Sequence, residues 1–132
     1  MTQENKQLLL KDLSARLPYG VKVCARFNTG SRYTTNVTAI CADRDYIETR
    51  QNDLHSYTGS SVEDIRPYLR PMPSITAEEE VLFRCELPAI AKTDAQLVAM
   101  RMELFLKGHL DFNHLIEKGL ALKAPDDMYK TE

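Results

Sequence analysis

The chain has 132 residues, 43% of them hydrophobic and 27% charged, with a formal net charge of −2. That length and balance support a core without metal or disulfide staples and speak against a disordered chain. The near-neutral charge speaks against a strong nucleic-acid binder: residues 1–70 carry ten Lys or Arg against eight Asp or Glu, and residues 71–132 carry seven against eleven. No run approaches the roughly 20 apolar residues of a membrane span, and the N-terminal leucines are too few for a secretory leader. The three cysteines, Cys24, Cys41 and Cys85, have no CxxC or zinc-like spacing and read as reduced, partly buried thiols of a cytoplasmic protein.

In chain order, Leu9, Leu10, Leu13 and Leu17 recur at helical spacing and predict a helix over 3–17, ended by Pro18 and Gly20. Residues 21–27 alternate Val21, Val23, Ala25 and Phe27 with Lys22, Cys24 and Arg26, a period of two that predicts a half-buried strand. Residues 34–42, rich in β-branched side chains, predict a second strand, and 46–50 a third after a turn at 43–45. A fourth return is expected around His55 to Thr58. Short connections favour antiparallel pairing.

Residues 65–73, IRPYLRPMP, stand between this β-rich part (about 19–72) and a helical part (about 76–120). Each proline pushes its predecessor toward extended structure. The segment therefore reads as an edge strand or connector, with Ile65 and Leu69 packed inward and the arginines facing water. A partner surface, with Tyr68 as an aromatic anchor between Arg66 and Arg70, is the functional alternative.

Beyond it, Thr76 and Glu79 have capping-box spacing, and a helix is predicted over 77–87, stopped by Pro88. Thr93 caps the next, 94–107, which is apolar over most of its circumference and ends at Gly108. A helix of that kind is either the most buried of the set or part of a contact with another chain. Asp111 caps a predicted short helix over 112–118. The fold expected is α+β in one domain, 1–132: an N-terminal helix, a small antiparallel β-meander or SH3-like barrel, then two to three helices.

Sites are thinly signalled. His109 and His114, five apart, do not share a helix face, and no third ligand accompanies them. Asp43 and Asp45 flank a turn and read as solvated. No P-loop, GxGxxG, GxSxG or HExxH pattern occurs, so no catalytic residue, metal or cofactor is expected. Arg32, Tyr33, Arg44, Arg50, Tyr57 and Tyr68 scatter basic and aromatic groups through the β-rich part, interleaved with Asp43, Asp45, Glu48 and Asp53. Small barrels bind single-stranded nucleic acid through such faces.

Three pieces, LLLKDLSARLPYGVKV (8–23), EDIRPYLRPMPSIT (63–76) and DFNHLIEKGLALKAPDDMYK (111–130), resemble a family of small uncharacterised proteins of gut anaerobic bacteria and their prophages or mobile elements. The likeness reaches both ends and the middle but leaves 28–58 unplaced. It implies a phage-linked setting and carries no activity or site onto any residue. The function expected is a non-enzymatic cytoplasmic protein-interaction module, self-associating or bound to another protein, with Arg66, Tyr68, Arg70, Arg32 and Tyr33 as binding residues. A nucleic-acid-binding β-module is the alternative.

Overall fold

The structure, a computed structural model, describes residues 2–26, 30–41, 46–51 and 56–129. The turn at 43–45, with Asp43, Arg44 and Asp45, lies outside the described residues, as do Phe27, Asp53 and His55. Helix α1 spans Gln3–Arg16, with the Thr2 hydroxyl accepting from the Asn5 amide. It unwinds through a single 3-10 turn over Leu17–Tyr19, and Gly20 at φ 70° closes the end with its amide on the Leu17 carbonyl. Only glycine adopts that left-handed geometry without steric cost.

The sheet has six strands in the order β4-β3-β2-β1-β5-β6: β1 Lys22–Arg26, β2 Arg32–Cys41, β3 Tyr46–Gln51, β4 Ser56–Ser60, β5 Ile65–Leu69 and β6 Leu122–Lys123. The first five pair antiparallel, and β6 joins β5 in parallel. The sheet is therefore mixed and open rather than a closed barrel. Strand β5 is not an edge: it pairs with β1 at Ile65–Pro67 and with β6 only from Tyr68 onward. Pro67 has no amide to donate, so pairing on the β6 side begins just past it.

Period-two alternation sorts the sheet into two faces. Val21, Val23, Ala25, Val37, Ile47, Ile65 and Leu69 join Leu9, Leu10 and Leu13 of α1 and Leu115, Leu120 and Ala121 in one core. The opposite face lies toward solvent.

Helix α2 (Ala77–Val81) starts with the predicted capping box, the Thr76 hydroxyl and Glu79 carboxylate each taking the other's amide. Pro88 does not stop the helical run. A π-helical segment, Leu82–Glu86, widens the turn before it, and α3 (Leu87–Ile90) continues with Pro88 in its first turn. The wide turn leaves room for the ring at the point where an α-helix would clash. Helix α4 spans Asp94–Lys107, capped by Thr93 as expected. It is not the most buried helix: Leu106 is its one buried residue. The predicted helix over 112–118 is a series of turns. Asp111 does cap, accepting from the Leu115 and Ile116 amides, but His114 at φ 57° cannot continue a right-handed helix. Among the described residues no helix is long and apolar enough to cross a membrane.

One ion pair lies inside this frame. Arg16 Nε donates to Asp12 Oδ1 at 2.5 Å, both side chains being fully buried. Asn113 also donates to Asp12, Arg16 Nη2 donates to the Leu110 carbonyl at 2.6 Å, and the guanidinium lies 5.0 Å from the Phe112 ring centre. This ties α1 to the turns after α4. Removing one partner leaves a buried charge uncompensated. Asp12→Asn should lower stability by about 3–5 kcal/mol in urea unfolding, while Asp12→Leu with Arg16→Met should recover most of that loss.

Candidate interaction surfaces

The residues between the two parts of the chain divide by strand geometry. On β5, Ile65, Pro67 and Leu69 are buried, which turns Arg66 and Tyr68 to the other face. Arg66 Nη1 donates to the Glu63 and Ile65 carbonyls at 3.0 and 2.8 Å. The Tyr68 carbonyl accepts from the Tyr129 hydroxyl at 2.7 Å.

Arg70 does not present itself to a partner. Its guanidinium holds the Glu79 carboxylate in a two-pronged fork, at 2.6 and 3.2 Å, and also donates to the Ser74 and Gly108 carbonyls. The fork holds the Glu79 carboxyl below its ordinary 4.5. Arg70 thus bolts the end of the sheet to the start of α2 and the end of α4.

Arg32 and Tyr33 part company for the same reason of alternation. Arg32 is exposed on the outer face, whereas Tyr33 packs against the core and its hydroxyl lies 3.0 Å from that of Thr49. Sequence adjacency within a strand puts neighbours on opposite faces.

The two histidines also separate. His114 is exposed. His109 is buried at φ 57° and stacks on Tyr129, with ring centres 3.7 Å apart. Burial, with Arg16 and Arg70 nearby, pushes its pKa down from 6.5 to about 4. Burial raises Tyr129 to about 12, and its hydroxyl accepts from the Lys22 amide at 2.9 Å. Tyr129 therefore pins the C-terminal segment across β1 and β5. The spacing of residues 107 apart in sequence offered no signal for this latch. Among the described residues, no three His, Cys, Asp or Glu side chains are placed to hold a metal. Cys24 and Cys41 are half-buried, and Cys85 is exposed.

The helices carry a different surface. Val81 is 52% exposed, Ile90 62%, Val98 61% and Met102 39%. Beside them Phe83 and Phe105 meet at a tilt with ring centres 5.0 Å apart, and Phe105 stacks in turn on Phe112 at 5.8 Å. A groove of about 450 Å³ opens along Met72, Ile75, Phe83 and Phe105, with Arg84 and Arg101 at its margin. Apolar composition made α4 visible in the sequence, but nothing there showed that its face would be left uncovered.

Compared with models of known protein families, with curated proteins and with solved structures, the chain matches none.

Two outcomes follow from the buried groups. Between pH 6.5 and about 4 the unfolded chain binds the His109 proton and the folded chain does not, so stability falls as pH drops through that window, by about 2–3 kcal/mol. His109→Phe, which keeps a ring on Tyr129, should flatten that limb in urea midpoints measured across the window. Glu79 acts lower, its contribution being present above 4.5 and lost as pH falls through its depressed value. Arg70→Ala should cost about 2–3 kcal/mol at neutral pH. Arg70→Lys should recover only part of that in the same assay, because an ammonium cannot make the fork.

Proposed function

We propose that the protein is a non-enzymatic cytoplasmic interaction module that binds protein through its helical part, and that the partner is a second copy of the chain. The observation that carries this reading is the uncovered face of α4. Ala95, Val98, Ala99 and Met102 are all exposed and fall at spacings of three and four, so they form one stripe along the helix. Large apolar side chains left in water in such a stripe mark association surfaces.

The chemistry of the stripe suits self-pairing. Helix α4 begins with Asp94 and ends with Lys107. Set antiparallel to itself about an axis near Met100, it places Val98 of one copy against Met102 of the other. The same register brings Asp94 of each copy toward Lys107 of its mate and opposes the helix dipoles. Ala95 and Ala99 let the helices approach closely. The resemblance to small prophage-linked proteins, many of them accessory interaction proteins, agrees with this reading by association alone.

Sedimentation equilibrium over a concentration series should show a reversible dimer. Val98→Glu with Met102→Glu should leave a monomer with unchanged far-ultraviolet dichroism. Asp94→Lys and Lys107→Asp should each weaken the dimer, and an equimolar mixture of the two should restore it as a heterodimer. A wild-type chain that stays monomeric throughout would overturn self-pairing.

A further inference from the structure

We propose that the solvent-facing side of the sheet is a binding surface for single-stranded nucleic acid. It is independent of the helical face and carries its own ligand.

The charges of the strands are segregated by face. Alternation turns Lys22, Cys24 and Arg26 of β1, Arg32, Thr34, Asn36 and Thr38 of β2, Glu48 and Arg50 of β3, and Arg66 of β5 outward. Among the described residues these strands therefore present five cations and one carboxylate on that side, in a chain whose net charge is −2. Glu48 is engaged by the Thr38 hydroxyl at 2.9 Å. At the rim, Asp64 pairs with Arg26 at 2.7 Å and Glu63 with Lys6 of α1 at 3.2 Å. Beside these pairs Lys22, Arg32 and Arg66 give the face a positive excess.

The arrangement is costly for folding alone. Arg26 and Arg32 are direct cross-strand partners, and like charges in that position repel. Arg26, Arg32 and Arg66 line a hollow of about 90 Å³ over Cys24, together with Glu63 and Asp64. Arg66 is held there by backbone carbonyls, which orient its guanidinium without neutralising it. Arg32 and Arg66, beside the Arg26–Asp64 pair, can bind an oxyanion such as a backbone phosphate, with Arg making paired hydrogen bonds to it.

The face also carries a stacking platform. Tyr46 is outward on β3 and 42% exposed, and its ring lies across Gly59 of β4, where any Cβ would collide with it. The missing side chain makes room for the ring. Between platform and cations, Thr34, Asn36 and Thr38 leave low, polar ground. From Arg66 on β5 to Arg50 on β3 is three strand spacings across and two residues along, ~16 Å, the reach of two or three nucleotides of an extended strand. Cations tracking a backbone, with aromatic rings for bases, form the recognition mode of single strands. A broad sheet face has no element shaped to enter a duplex groove.

The test is fluorescence anisotropy with labelled single-stranded DNA and RNA oligonucleotides of mixed sequence, over a salt series, with full-length protein. Expected is binding of roughly micromolar strength at low salt, with log K falling by about two to three per log unit of salt, as three or four neutralised phosphates require. Arg32→Glu with Arg50→Glu, at two exposed positions and with far-ultraviolet dichroism as the check on folding, should weaken it at least tenfold. Tyr46→Ala should weaken it about fivefold or more. Val98→Glu with Met102→Glu should leave it unchanged, which separates this site from the helical one. Absence of binding at low salt would overturn the proposal. So would equal affinity for duplex, indifference to Arg32→Glu with Arg50→Glu, or binding to vesicles containing phosphatidylserine without binding to oligonucleotides.

Discussion

The Arg70–Glu79 fork sets the relation between the two parts of the molecule. The arginine sits just past β5, and its guanidinium reaches the first turn of α2, the Ser74 carbonyl and the Gly108 carbonyl beyond α4. A planar fork fixes direction as well as distance. Backbone bonds between Arg70 and residues 109 and 111 extend the join into the turns after α4. The face that α4 turns to solvent is a consequence of this attachment, because the helix is held at its end rather than laid across the core.

The second constraint is that the sheet is covered on one side. Helix α1 and the turns from Leu115 to Ala121 close the inner face over one apolar core. Among the described residues no layer covers the other face, and its alternate positions take polar and charged side chains. The inward pair Asp12–Arg16 shows the opposite solution. There a cation is fully buried, and it is matched by a carboxylate, a carbonyl and the Phe112 ring. Exposed outward arginines such as Arg32 are under no such requirement.

Much of the architecture was legible locally. The alternation of β1, the capping box at Thr76 and the extent of α4 each depend on residues within a few positions of one another. Where reading failed, a backbone conformation that composition does not announce intervened. Pro88 signals a stop, but the π-helical turn at Leu82–Glu86 absorbs it. Asp111 caps a turn rather than a helix because His114 takes a left-handed backbone conformation. The apolar make-up of α4 is compatible with burial or with a contact, and composition cannot say which neighbours cover a helix.

The binding residues show the same division. Arg66 and Tyr68 share a face because they are two apart on one strand, a property of the sequence itself. Arg70 was grouped with them by proximity, yet its partners stand at 74, 79 and 108 and engage it internally. The order of strands, the convergence of Arg26, Arg32 and Arg66, and the latch of Tyr129 on β1 and β5 join residues tens of positions apart. By itself the sequence determined most of the elements, the caps at Thr76 and Thr93 and the inward side of β1 and β5, because backbone preference and hydrophobic period act over a few residues. Only the tertiary structure decided which faces stay open and which charges meet, because those depend on how distant segments pack.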